Sequence, residues 1–242
     1  MAKKNTYTPM MQHYLEIKQQ HQDAIIFYRL GDFYEMFFED AKTASQELDL
    51  VLTGRNAGVE EKVPMCGIPF HASKGYIQRL IQKGYKVAIV EQLENPAEAK
   101  GLVKRDVIKI VTPGTIMDEV NDEKNTAYIA SMHDYQFGLA VVLCEMTTGE
   151  MRAQLIDKQV MAIQKIVLGN NVVEVVLPEN FDKKIVHMME DMESITISYQ
   201  NDTNIKEPYK HLLSGIEDER IYTAFATLTN YLDETQKRSM AH

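Results

Sequence analysis

The sequence predicts a mixed α/β chain of two domains. Three observations carry this expectation. The 242 residues suit one large or two modest domains, and 45% of them are apolar, enough for a real core. Helix-period and strand-period segments alternate along the chain. A polar, acidic stretch after Val111-Thr-Pro-Gly-Thr115 (Asp118, Glu119, Asn121, Asp122, Glu123) has the composition of an inter-domain linker. The expected division is a first domain over 1–117, a linker over 118–125 and a second domain over 126–242.

In the first domain Pro9 to Gln20 reads as a helix and Ala24 to Leu30 as a buried strand. Tyr34 to Leu48 keeps a 3.6-residue apolar period through Tyr34, Phe37, Phe38, Ala41 and Leu48, which predicts a helix with Asp32 as its N-cap. Ser73 to Gln82 reads as another helix, with Ser73 as N-cap and Gly84 beyond its end. Lys86 to Val90 and Asp106 to Val111 read as strands, and Met65 to His71 as a loop.

The second domain opens with strand-like runs at Thr126 to Met132, Gly138 to Cys144 and Gly149 to Ile156, as in a β-meander. A helix (Asp157 to Leu168), a strand (Val172 to Leu177), a helix near Lys183 to Met189 and a strand (Ser194 to Tyr199) follow. This is the general plan of a ribonuclease-H-like domain. The last helix, Asp218 to Arg238, has no Gly or Pro stop, so the native chain is expected to continue.

Composition narrows the function. Two cysteines, Cys66 and Cys144, stand outside any CxxC or Cys/His cluster, which argues against a zinc site or a disulfide framework and fits a reducing cytoplasm. The basic, polar start lacks the apolar region of a signal peptide, and the longest apolar run, Leu139 to Cys144, is far too short to span a bilayer. Charge is uneven. Residues 1–117 hold 15 Lys and Arg against 14 Asp and Glu, whereas 118–242 hold 11 against 21. If one half touches nucleic acid it is the first; the acidic half reads as a spacer or docking module.

The most unusual segment is FYRLGDFYEMFF at 27–38, where six of twelve residues are aromatic in a chain that is 8% aromatic. A strand meets the expected helix at Gly31-Asp32, so Phe33 and Glu35 fall in the first turn, Phe33 at the edge of the apolar stripe and Glu35 off it. Pattern alone favours Phe33 as core, since most Phe are buried. It equally favours Glu35 as the partner of Asp32 in a capping box.

Several ordered motifs together are more specific than any one of them. GDFYEMFFEDA at 31–41, PMCGIPFH at 64–71, VAIVEQLENP at 87–96 and RDVIKIVTPGT at 105–115 closely resemble, in order and spacing, the amino-terminal mismatch-recognition domain of the bacterial MutS family. The resemblance covers residues 8–120 and extends more loosely to the family's connector domain, mainly through LTNYLDETQK at 228–237.

The resemblance implies an amino-terminal fragment whose Phe-x-Glu motif is Phe33 and Glu35. The phenylalanine would enter the minor groove and stack on a mispaired or unpaired base, and the glutamate would hydrogen-bond it. It also implies DNA-facing roles for Arg105, matching a family arginine at the DNA surface, and for Lys104 beside it. The loop with Met65, Gly67 and Pro69 would approach the backbone. The family often has Tyr where Phe70 stands, so a hydroxyl contact there is lost. In the family the connector contacts MutL, and the intact protein is a homodimer using ATP and Mg. No G-x-x-x-x-G-K-[ST] occurs here, so this chain is expected to be a monomer without cofactors and not an enzyme. His71 lacks a nucleophile or paired acid nearby in sequence. Two rivals remain. A metal-dependent nuclease in the second half could draw on Glu145, Asp157 and Glu174, and a pure protein-docking module would use its acidity.

Overall fold

The computed structural model describes residues 6–94, 103–116, 127–192 and 194–236. The chain separates into two compact units that meet between Thr112 and Pro113. The expected linker, 118–125, and Arg238 lie outside the described residues.

The first unit is one six-stranded mixed sheet with helices on both faces. Its elements are α1 (Pro9–Gln20), β1 (Ala24–Leu30), β2 (Phe33–Phe37), α2 (Phe38–Leu48), β3 (Thr53–Arg55), β4 (Val63–Pro69), α3 (Ser73–Gln82), β5 (Lys86–Gln92) and β6 (Arg105–Val111). The sheet order is β3-β4-β2-β1-β5-β6, with β1 and β5 parallel and the other pairs antiparallel. Side chains alternate along each strand. Ala24, Ile26 and Tyr28 turn to α1, where Met11, Tyr14 and Ile17 complete a core with Phe37 and Val63. The opposite face meets α2, whose Ala41 carbonyl accepts from Cys66 Sγ at 3.4 Å.

Two expectations about this unit are corrected. Phe33 to Phe37 is a strand, and the helix begins only at Phe38. A segment paired on both sides, to β1 and to β4, has its backbone groups committed to two ladders, which overrides an apolar period that also fits a helix. Phe38 takes φ +54 where strand becomes helix, and Asp49 closes the helix in the left-handed region at φ +58. Asp32 is therefore not an N-cap and Glu35 not its capping-box partner. Likewise Met65 to His71 is not a loop: it comprises most of β4 followed by a 3-10 turn, Phe70–Ala72. Ser73 is the first residue of α3 rather than its cap, and its hydroxyl donates to the Phe70 carbonyl at 2.7 Å.

Asp40, in the first turn of α2, ties the layers together. Its buried carboxylate accepts from Tyr14 Oη at 2.8 Å and Ile26 N at 3.0 Å, and pairs with Lys18 at 2.8 Å. Burial and this neighbouring carboxylate hold the Tyr14 phenol well above its ordinary range.

The second unit has the expected plan. A meander of β7 (Tyr128–Tyr135), β8 (Gly138–Glu145) and β9 (Met151–Ile156) is followed by α4 (Val160–Gly169), β10 (Val172–Leu177), α5 (Lys183–Glu190), β11 (Thr196–Tyr199) and α6 (Glu219–Thr235). The order is β11-β10-β7-β8-β9, antiparallel through the meander and parallel from β7 through β10 to β11. Every residue of β8 is buried. Core residues of α4 and α5 cover one face, and α6 covers the other with Ile221, Ala224, Phe225, Leu228 and Tyr231. Pro113-Gly114-Thr115 is anchored here: Gly114 N donates to Glu174 Oε2 at 2.8 Å, and a Cβ on Gly114 would lie 2.7 Å from that oxygen. No described helix is long and apolar enough to cross a membrane.

Candidate nucleic-acid interface

The hairpin joining β1 and β2 turns through Gly31 and Asp32, with Gly31 at φ +58, a conformation that suits a residue lacking Cβ. Leu30 faces Phe33 directly across this turn. On its other side β2 runs against β4 in the register Phe33–Pro69, Glu35–Gly67, Phe37–Met65. Five of the seven residues singled out from the sequence, Phe33, Glu35, Met65, Gly67 and Pro69, therefore share one face of two neighbouring strands.

Along that face burial falls towards the hairpin. Phe37 is fully buried under α1, Glu35 is half-buried, and Phe33 is 47% exposed. Phe27, Tyr28, Tyr34 and Phe37 are all core, so the ring that sequence pattern would bury is the one left at the surface. Phe33 and Glu35 are two residues apart on a strand, which sets their Cα atoms about 6.6 Å apart. Glu35 Oε2 accepts from Arg55 Nη1, at the end of β3.

The reverse side of the hairpin is braced. The Arg29 guanidinium carbon lies 3.5 Å from the Phe70 ring centroid, Nε donates to the Gly31 carbonyl at 2.5 Å, and Nη1 is 3.4 Å from Glu91. Tyr34 also donates to Glu91. Burial first, and then that carboxylate, push the Tyr34 phenol upward. Phe70 N donates to the Asp32 carbonyl at 2.9 Å, fastening the turn to the end of β4. Phe70 itself is partly exposed beside Pro69.

Lys104 and Arg105 belong to the other edge of the sheet. Lys104 is exposed, and its backbone is held to Glu94 and Leu93. Arg105, expected at the surface, is buried: Nε donates to the Arg29 carbonyl at 2.9 Å, Nη1 to the Val103 carbonyl at 2.8 Å, and the guanidinium lies 5.4 Å from the Tyr28 centroid. Its contacts brace β1 on the Tyr28 face of the sheet, the face that also carries Glu35.

Sequence reasoning missed Arg55, Arg29 and the Asp32–Phe70 tie. Arg55 sits on a three-residue strand with no periodic signal. Arg29 looked like an ordinary residue ending a buried strand.

The carboxylates weighed for metal chemistry in the second unit do not converge. Glu145 pairs in register with Tyr128 and Glu174 with Ile129, which places them on opposite faces of the sheet. Asp157 follows Ile156, at the far end of β8 from Glu145. Glu145 is spent on its own turn, accepting from Thr147 N and Thr148 N at 2.8 Å, and the Thr148 side chain leads in drawing its carboxyl down to about 2. Glu174 accepts from Ser198 Oγ and Tyr231 Oη, each at 2.5 Å. Among the described residues no three His, Cys, Asp or Glu are grouped to hold a metal.

Residues 8–120 match the family described as MutS domain I. The chain is 42% identical over 238 residues to DNA mismatch repair protein MutS from Bacillus thuringiensis, with the same identity and span to those from Bacillus cereus and Bacillus anthracis. Each alignment covers 98% of this chain, which spans 27% of the length of these relatives.

Proposed function

We propose, for a chain that belongs to the MutS family through its domain I, that the open end of the β2–β4 face reads mispaired or unpaired bases in duplex DNA. Phe33 is the wedge and Glu35 the hydrogen-bonding partner of the displaced base. The observation that carries this reading is the exposure of Phe33 at a braced hairpin tip, while Phe27, Tyr28, Tyr34 and Phe37 of the same segment are core.

Inserting an apolar ring between base steps unstacks them at a cost of a few kcal/mol and kinks the duplex. A mispaired step is already poorly stacked, so it opens more cheaply, and stacking on the ring returns about 1–3 kcal/mol. A paired step incurs the full cost. Discrimination then reads deformability rather than sequence, which suits a reader of many different mismatches. Such a wedge must not fold back into the protein. The Arg29–Phe70 stack and the Asp32–Phe70 hydrogen bond serve that end by stiffening the turn. Met65, Gly67 and Pro69 line the same face, and Lys104 offers a phosphate contact.

In this reading residues 1–117 are the reading domain and 126–242 a connector. The excess of acid in 118–242 favours a protein partner there over DNA, and MutL is the partner assigned to it. ATP, Mg and dimerisation are assigned to segments other than this chain, which itself acts by binding in the cytoplasm rather than by catalysis. The dispersal of Glu145, Asp157 and Glu174 speaks against a nuclease.

The test grafts residues 1–242 in place of the matching segment of a full-length Bacillus cereus MutS. Affinities for mismatched duplex and homoduplex are read by fluorescence anisotropy at fixed salt. Phe33→Ala is expected to bring their ratio close to one. A ratio that survives the substitution refutes the reading.

A further inference from the structure

Glu35 reaches a partner two strands away in the sheet. Strand β4 lies between β2 and β3, yet Glu35 Oε2 meets Arg55 Nη1. The side chain gets there by lying over Gly67, its register partner. A Cβ added at Gly67 would stand 3.3 Å from the Tyr34 carbonyl oxygen, a tight approach to backbone, and 3.4 Å from Glu35 Cγ, in contact with the side chain that crosses it. Arg55 is steadied in turn by the Phe37 ring, 5.8 Å from its guanidinium carbon to the centroid. The pair is semi-sheltered, with side-chain exposures of 17% for Glu35 and 35% for Arg55. Among the described residues Arg55 is the ion-pair partner of Glu35.

We propose that Arg55 and Gly67 are positioning residues for Glu35, and that they set mismatch specificity by holding one carboxylate oxygen so that the other is presented to the base. The inference rests on the reading of the Phe33–Glu35 face given above. An unrestrained glutamate spreads over several rotamers, and each hydrogen bond it makes to a base must first overcome that freedom. Arg55 removes it before DNA arrives. With Oε2 engaged by the guanidinium, Oε1 is the atom left to meet the base, and a carboxylate oxygen accepts. The ligand it selects is a base N–H that mispairing has freed from its partner. In a paired minor groove the base edges show mainly acceptors, with the guanine amino group as the one donor. A held carboxylate therefore finds a match at a disrupted pair and little at an intact one.

An arginine that touched only phosphates would behave differently. It would strengthen binding to both duplexes alike and leave their ratio unchanged. An arginine that merely held β3 to the sheet would act whether or not Glu35 is present.

The experiment uses the same full-length chimera and reads the mismatch-to-homoduplex affinity ratio. Arg55→Gln and Gly67→Ala are each made with Glu35 intact and in a Glu35→Ala background, and thermal midpoints are recorded. With Glu35 intact, each substitution is expected to lower the ratio by roughly fivefold to tenfold, and in the Glu35→Ala background by less than about twofold, as coupled neighbours do. Arg55→Lys should recover part of the loss, since one ammonium can still hold the oxygen. An equal change in both backgrounds, or a fall in both affinities at constant ratio, overturns the inference. If Gly67→Ala fails to fold, the Arg55 cycle alone decides. A Phe33→Ala arm separates the two levels. Ratio lost there with no Arg55–Glu35 coupling overturns only the positioning role, whereas ratio retained there refutes the face and the inference with it.

Discussion

Phe33 faces Pro69 across the β2–β4 pair, at the point where the ladder runs out. Proline has no N–H to donate. Beyond it the turn is held by Phe70 N to the Asp32 carbonyl instead. The ring of Phe33 thus stands on a fixed backbone with half its surface in solvent. Because so much of it is exposed, Phe33→Ala should change the unfolding free energy by less than about 1 kcal/mol, against the roughly 3–5 kcal/mol of a core phenylalanine. Chemical denaturation of the chain measures this. A core-sized loss would mean that the ring is packing and not a wedge.

Lys104 and Arg105 are adjacent in sequence and should fail in different ways. Removing Arg105 strips hydrogen bonds from the Arg29 and Val103 carbonyls and the cation from the Tyr28 ring. Arg105→Ala should cost about 2–3 kcal/mol of stability. Lys104→Ala should leave stability within about 0.5 kcal/mol. If Lys104 neutralises a phosphate, its loss lowers the salt slope of DNA binding by about one. Denaturant melts and affinity against salt concentration separate the two residues; a stable Arg105→Ala protein would refute the bracing role.

How far the sequence could be read depends on which forces act locally. Helix α1 and strands β1 and β10 follow from residues whose period and flanking signals agree, and the structure begins and ends them where the pattern does. Phe33 to Phe37 misled because Tyr34, Phe37, Phe38 and Ala41 satisfy a helical period while the decisive partners, Leu30 and Pro69, are set by pairing between strands. Strand β3 has three residues and owes its existence to β4. For the site, the motif marked Phe33 and Glu35, but neither their shared face nor the Arg55 contact has a periodic signature. Arg105 shows the converse: the family resemblance placed it at a DNA surface, and only three-dimensional contacts reveal a buried donor.

Glu174 is buried with its carboxylate among Gly114 N, Ser198 Oγ and Tyr231 Oη. Glu174→Ala would leave these donors facing a cavity, a loss of about 3–4 kcal/mol by comparison with other broken buried polar clusters. The segment after Thr112 should loosen first. Hydrogen exchange at the Gly114 amide should therefore accelerate more than exchange within β8. Unchanged protection at Gly114 would show that Glu174 does not anchor the segment.

His133 gives the second unit an acid sensitivity whose sign follows from its surroundings. Its ring is buried between β7 and α6, with Nε2 2.7 Å from Thr227 Oγ1, and burial draws its pKa down to about 4 from an ordinary value of 6.5. The folded state thus keeps the ring neutral while the unfolded chain takes up a proton from about pH 6.5 downward. The unfolded state binds more protons across that window, so stability falls as pH drops from 6.5 to about 4 and levels off below. The full effect is on the order of 3 kcal/mol. His133→Gln, which can still bond Thr227 but cannot titrate here, should flatten this part of the profile. Urea unfolding at pH 7 and pH 4.5, followed by circular dichroism, compares the two proteins. Other carboxylates titrate in both, so the informative quantity is the difference between them. If that difference is the same at the two pH values, His133 is not the group responsible.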